Sequence, residues 1–448
     1  MRIDLLPGLT CTNKHVENSR EETVAWPDEI NSMNVILASV GTDGDIFPYV
    51  GLGAKLRERG HSITLLASSH YQPLAEENGF EFHALVSAEE NHELIGHPDF
   101  WNPLKTAPLS ARWGMRFVRR QYDLLAGLVR EDSVLVANPG VLAAPLVHEK
   151  LGHPWANLVL QPWMIPSSVS PPLMPGLTLL RRAPQSVWKV IWQALDVGVH
   201  ILVGRELNRL RSSIGLPHTR QTLLSWLSPQ LVLGMFPKWY GPPQRDWPSQ
   251  VRVVGFPLFD GRRRSSLAPE VIEFCAVGEP PVAFTFGTGM RHSAGLFRAA
   301  LQATEQCGVR AVFLTKHRDQ LPERLPPSVL HCEFAPFKEL FPRCAAVLHH
   351  GGIGTVAEAL ATATPQLIRP LCFDQMDNGD RVKRLGAGEW IHPQRSGPAH
   401  IATTLRRLLS PEMRIQCRTL SQRIKPDTAL DAASDLVEKL ARSVTAQK

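Results

Sequence analysis

From Met33 onward, short apolar runs alternate with segments long enough to be helices, and this alternation constrains the chain more than any single motif. Val35–Val40 is the first run and ends in Gly41. Leu52 and Leu56 mark a helical stripe through Pro48–Arg59, Gly60 stops it, and Ile63–Ala67 is the next run. Val134–Ala137 and Trp155–Leu160 continue the series. Strands separated by helical lengths must pair in parallel, which predicts a doubly wound α/β sheet. The pattern then breaks. Pro162–Pro175 holds five prolines and three serines and reads as a loop. A long helix is expected over Ser186–Ser213, and Pro237, Pro242, Pro243 and Pro248 crowd the segment beyond it. The alternation restarts with Val282–Phe286, Ala311–Thr315, Leu330–Phe334, Ala346–Leu348 and Gln366–Ile368.

Two runs of alternation in 448 residues suit two α/β domains of about 200 residues each. The expected division is 33–228, a linker at 229–262, a second domain at 263–428 and a terminal helix within 429–448, whose packing partner the sequence leaves open. Residues 1–32 contain Glu17, Glu21, Glu22, Asp28 and Glu29 and no apolar core, so they read as a disordered leader and not a signal peptide. No stretch reaches about 18 uninterrupted apolar residues; Val190–Val203 is broken by Gln193, Asp196 and His200. Seven cysteines, an odd number with no CxxC pair, argue against a disulfide framework or a zinc site and for a reducing cytoplasm. The +6 net charge is scattered, apart from clusters at Arg119–Arg120 and Arg262–Arg264. Those clusters read as solvated surface or as contact with an anionic membrane. No interleaving of basic and aromatic residues marks a nucleic-acid module.

Chemistry concentrates where the runs end. Gly41-Thr42-Asp43-Gly44-Asp45-Ile46-Phe47-Pro48 follows the first strand, in the crevice where open α/β sheets bind ligands. Two carboxylates sit there at the start of a helix. Asp45 is either a helix cap or a general base facing a hydroxyl, with Asp43 beside it. The third glycine of a dinucleotide fingerprint is missing. His349-His350-Gly351-Gly352-Ile353-Gly354-Thr355 follows Ala346–Leu348 and opens a helix carrying Glu358. A glycine-rich turn at a helix N-terminus presents unpaired N–H groups and a positive dipole end, which suits a diphosphate. Three weaker features share that domain edge: Gly287-Thr288-Gly289, the Phe334-Ala335-Pro336 turn, and Asp374-Gln375 at the end of Pro370–Gln375.

Taken together, Phe334-Ala335-Pro336, His350 to Glu358 and Asp374-Gln375 resemble the donor-binding signature of family 1 glycosyltransferases. The resemblance implies a GT-B fold, two Rossmann-like doubly wound domains facing across a cleft. It places Phe334 at the nucleobase, His350 with Gly352, Gly354 and Thr355 at the diphosphate, Glu358 at the ribose, Asp374 and Gln375 at the sugar, and Gly287 and Thr288 in the phosphate loop. The Gly-x-x-Gly-Asp-x-x-Pro segment resembles bacterial antibiotic and lipid glycosyltransferases, which puts Asp45 at the catalytic position. Phe236–Trp239, Pro242–Pro248 and Gly255–Gly261 are similar to the linker of the rhamnosyltransferases of rhamnolipid synthesis, from which the chain departs by its leader and by His349.

The expectation is therefore an inverting hexosyl transfer from a dTDP- or UDP-sugar. No metal or other cofactor is expected, and the acceptor is an amphipathic or lipidic hydroxyl. Gln161, Trp163, Trp188 and Trp192 are expected at the acceptor. The enzyme would be cytoplasmic and peripheral on the membrane. A nucleotide-sugar epimerase and a non-catalytic binding homologue are the alternatives.

Overall fold

The computed structural model describes residues 32–223, 225–259, 266–287, 290–425 and 427–445. The leader, Thr288 and Arg262–Arg264 therefore lie outside the described residues. Seven parallel strands form a first sheet: β1 (Asn34–Ala38), β2 (Ser62–Ser68), β3 (Glu81–Val86), β4 (Ser133–Ala137), β5 (Trp155–Val159), β6 (Leu231–Gly234) and β7 (Val251–Val253). Six more, again all parallel, form a second: β8 (Val282–Thr285), β9 (Ala311–Leu314), β10 (Val329–Cys332), β11 (Ala346–His349), β12 (Gln366–Ile368) and β13 (Gly388–Trp390). β1, β4, β5 and β11 are buried along their whole length. Strands covered by helices on both faces read as unbroken apolar runs, which is why the sequence betrays them.

The orders are β3-β2-β1-β4-β5-β6-β7 and β10-β9-β8-β11-β12-β13. Each sheet reverses its winding once, between β1 and β4 and between β8 and β11. The loops after β1, β8 and β11 therefore open onto crevices at the strands' carboxyl ends. Those loops carry Asp45, Gly287 and His350.

One expectation, the linker, needs correction. The first helix runs Asp43–Glu58, with the two carboxylates at its start as expected, because Thr42 and Asp45 build a capping box ahead of the apolar stripe. Pro48 then lies inside the helix, where it leaves the carbonyl of solvent-exposed Gly44 without an amide partner. The expected linker at 229–262 supplies β6 and β7 to the first sheet. The terminal helix, Thr428–Thr445, crosses back to the first half. Its Leu430, Ala433, Val437 and Leu440 join the core formed by Leu52, Leu56 and Ile63. Arg59 Nη1 pairs with Asp435 Oδ1 at 2.6 Å and His61 Nε2 meets Glu438 Oε1 at 3.0 Å.

Candidate active site

Asp45 is the third residue of the first helix, and its Oδ2 accepts from the Thr42 amide at 2.9 Å and the Thr42 hydroxyl at 3.2 Å. Gly41 makes this possible. It sits at φ +128°, and a Cβ there would collide with the Asp45 carboxylate. Both hydrogen bonds use Oδ2, so Oδ1 is the oxygen available to a ligand. Burial outweighs the Thr42 bonds and raises the carboxyl pKa from 3.8 to about 6. Asp43 is tied up differently: its Oδ1 accepts from the Tyr71 hydroxyl at 2.8 Å.

On the other sheet, β11 ends in two histidines with separate tasks. His349 is buried; its Nδ1 accepts from the Gly351 amide at 3.1 Å and its Nε2 lies 3.1 Å from Gln366 Oε1. Burial lowers its pKa to about 3, and it braces the turn. His350 instead has a buried Nδ1 with no partner among the described residues. Burial holds its pKa down at about 4, so the ring is neutral at pH 7. It lies between two glycines. A Cβ on Gly287 would stand 3.1 Å from the ring and one on Gly352 only 2.6 Å from Nε2. Gly352 is the N-cap of the Ile353–Ala361 helix and provides no side-chain cap. Gly354 is exposed with open space around it, Thr355 is buried and Glu358 half-buried one turn on. A diphosphate would find at this terminus what such a helix lacks, acceptors for its first N–H groups.

Asp374 precedes the Gln375–Arg384 helix and is 8% exposed. Its Oδ2 accepts from Asn378 Nδ2 at 2.5 Å, and that amide also donates to the Gly351 carbonyl at 2.9 Å. Burial, with a smaller contribution from the charge of Asp45, raises the Asp374 pKa to about 7. The two carboxyls, one from each half, are thus within electrostatic reach of each other. Before Asp374 stands Phe373, at φ +53°, strained backbone of the kind that collects at ligand sites. Its ring meets Phe100 of the first half edge-on at 5.2 Å.

The other expected residues divide. Phe334 is 37% exposed just past β10. Gln375 does not present its carbonyl to a sugar, because Oε1 accepts from the Leu371 and Cys372 amides at 2.7 and 3.1 Å and shapes the loop. Gln161 and Trp163 lie directly after β5 and are half-buried, Trp163 with its indole N–H unpartnered. Trp188 and Trp192 are a correction. Both pack with Leu223 in a small core, and their N–H groups donate to the carbonyls of Leu180 and Ser167 at 2.8 and 3.1 Å. They pin the loop from inside, their rings packed in that core. Among residues the sequence did not single out, Asn378 stands first, since it joins Asp374 to the glycine turn. Its spacing of four from Asp374 on a helix was the available signal.

Residues 35–168 match the glycosyltransferase family 28 N-terminal domain, and residues 307–440 match the erythromycin biosynthesis protein CIII-like C-terminal domain. Over 92% of its length the chain is 30% identical to O-mycaminosyltylonolide 6-deoxyallosyltransferase of Streptomyces fradiae, of which it spans 99%. It is 23% identical over 93% of its length to sterol 3-beta-glucosyltransferase of Debaryomyces hansenii, spanning 27% of that longer protein. The crystal structure of the glycosyltransferase VinC in complex with dTDP superposes with a TM-score of 0.65 at 18% identity, over 92% of this chain and 100% of that one. A two-sheet fold with facing crevices defines the GT-B class. The chain belongs to the GT-B family 1 glycosyltransferases, enzymes that transfer a sugar from a nucleotide-sugar donor.

Proposed function

We propose that the protein moves a hexose, rhamnose or a glucose-like sugar, from a dTDP- or UDP-sugar to a hydroxyl of a lipidic or otherwise amphipathic acceptor. The transfer inverts the anomeric centre, needs no metal and takes place in the cytoplasm. The observation that carries this reading is the Gly352 helix terminus, with no side-chain cap, beside the buried and unpartnered Nδ1 of His350.

In this mechanism Asp45 Oδ1 takes the proton of the acceptor hydroxyl, whose oxygen attacks the anomeric carbon from the face opposite the diphosphate. The bond to the diphosphate breaks as the new one forms. Negative charge builds on the leaving group, where the helix N–H groups and His350 stabilise it in the place a metal ion would take. A carboxyl with a pKa of about 6 is mostly ionised at neutral pH yet more basic than an exposed one, which suits a general base. Asp374, held by Asn378, is placed for sugar hydroxyls. Phe334 supplies the face for the base and Glu358 the carboxylate for the ribose. The deoxyhexose and sterol chemistry in the names of the two relatives supports a hexose donor and an apolar acceptor.

The test is mass spectrometry of products from a panel of dTDP- and UDP-sugars with lipid hydroxyls, alongside donor-only controls. Transfer of one hexose to one hydroxyl is expected. Conversion of the donor without acceptor would instead establish an epimerase, and absence of any turnover over the panel would refute the proposed substrate classes.

A further inference from the structure

The Gln185–Ser213 helix carries more apolar surface than its packing uses. Trp188, Trp192, Asp196, Val203 and Leu210 face the body and are buried. On the opposite side Val187, Val190, Val197 and Ile201 are 39, 63, 56 and 77% exposed. Their spacings of three, seven and four residues place them in one stripe. Leu179, in the turn before the helix, is 95% exposed. Continuing along the same side, the stripe changes character at Arg205. Arg205, Asn208, Arg209 and Ser212, with His218, line a surface recess of about 460 Å³. Neither Arg205 nor Arg209 makes a hydrogen bond or ion pair with a described residue.

We propose that this side of the helix docks the protein on an anionic lipid surface, the apolar stripe entering the acyl boundary while the recess takes lipid phosphate. The inference deepens the reading of a lipidic acceptor by giving the first half a face to turn toward that acceptor's membrane. By length and composition the helix could cross a bilayer. Its packed tryptophan side fixes it to the body, so it lies in the interface plane.

Charge decides between a membrane and a second copy of the chain. An antiparallel two-fold pairing of this face would set Arg205 and Arg209 against Val190 and Val187 of the other copy. A parallel pairing would set arginine against arginine. Either sets guanidinium groups against apolar or like-charged surface, with the nearest acid, exposed Glu206, beside the stripe and not opposite it in the other copy, which is unfavourable. A lipid interface offers hydrocarbon to one half of the stripe and phosphate, a bidentate guanidinium partner, to the other.

The experiment is co-sedimentation of the full chain with phosphatidylcholine vesicles, with and without phosphatidylglycerol. Binding is expected only to the anionic vesicles and should weaken as salt rises. Each juxtamembrane cation contributes about fivefold, so Arg205→Gln with Arg209→Gln should weaken binding by about thirtyfold. Val197→Asp with Ile201→Asp should abolish it. Both double variants are on the surface, so their melting temperatures and turnover of a soluble acceptor should match wild type, which excludes misfolding. No binding of wild type to anionic vesicles, or equal binding by the variants, would overturn the proposal. So would a wild-type dimer, seen by light scattering, that Val197→Asp with Ile201→Asp splits. Failure of the proposed transfer would show differently, as vesicle binding without glycosylated product.

Discussion

Replacing Asp45 with Asn should give a far slower enzyme and, above pH 6, a more stable protein. Burial moves the carboxyl pKa from 3.8 to about 6. At about 1.4 kcal/mol per unit, ionised Asp45 costs the folded state about 3 kcal/mol. Because the folded pKa is the higher one, the folded state holds the proton more tightly. Asp45's contribution to stability is therefore most favourable below pH 3.8, declines as pH rises toward 6, and is flat beyond. Asparagine carries no charge, and its side-chain oxygen can still accept from the Thr42 amide and hydroxyl that Asp45 engages. The cap survives while the penalty disappears. Urea denaturation across a pH series should show wild type and variant nearly equal at pH 3.5, and the variant ahead by as much as about 3 kcal/mol at pH 7. Over the same range kcat/KM should fall by about 10²–10⁴-fold, and the acidic limb centred near pH 6 should vanish with the base. A second signature comes from Asp374, whose pKa of about 7 is raised in part by the charge of Asp45. Its carboxyl carbon, followed by NMR, should titrate at lower pH in the variant. Near-wild-type turnover with reduced stability at pH 8 would refute the reasoning and leave Asp45 a cap alone.

Three further outcomes follow from the donor side. His350→Ala removes a neutral ring aimed at the diphosphate and should weaken dTDP or UDP binding by about tenfold or more in calorimetry, whereas Asp45→Asn should leave it unchanged. Gly352→Ala puts a methyl group 2.6 Å from His350 Nε2, so it should reproduce that loss of nucleotide affinity with His350 still present; unchanged affinity would show that the ring's position is immaterial. Turnover should persist in excess EDTA, because in the proposed mechanism the helix N–H groups and His350 take up the leaving group's charge. Abolition by EDTA with recovery on Mg²⁺ or Mn²⁺ would refute the metal-independent leaving-group step.

Nine of the thirteen strands could be read in advance because buried parallel strands leave an uninterrupted apolar trace, whereas β3, β6 and β13 were not singled out. β7 could not. Val251–Val253 is three residues long, only half-buried, and set among prolines, so no periodicity marks it. The start of the first helix was legible, since Asp43 and Asp45 stand just ahead of the apolar stripe and Thr42 with Asp45 builds a capping box there. At the donor site the glycine turn stood out, whereas Asp374 drew notice only beside it, because acids are common in loops. Trp188 and Trp192 misled because large aromatics at helical spacing serve a core as readily as a ligand. Only the burial and the satisfied N–H groups separate the two roles.

What sequence spacing cannot convey is how a residue after β1 comes within electrostatic reach of one after β12. The structure answers this with a single helix. The Gln375–Arg384 helix presents Asp374 at its N-cap. From the same helix Asp377 Oδ1 accepts from the Leu173 amide at 2.9 Å, Asp380 pairs with Arg181 at 2.6 Å, and Asn378 receives the Tyr240 hydroxyl at 2.9 Å. Arg381, itself held by Asp377 at 2.6 Å, donates to the Tyr240 carbonyl at 3.0 Å. Leu173 and Arg181 belong to the loop that Trp188 and Trp192 pin from inside. The element that sets the sugar-side carboxylate is thus also the one that grips the acceptor-side loop. Asn378 couples the two most directly, since one side chain touches Asp374, the Gly351 turn and Tyr240. One helix therefore ties the Asp374 carboxylate and the glycine turn after β11 to the loop that follows β5.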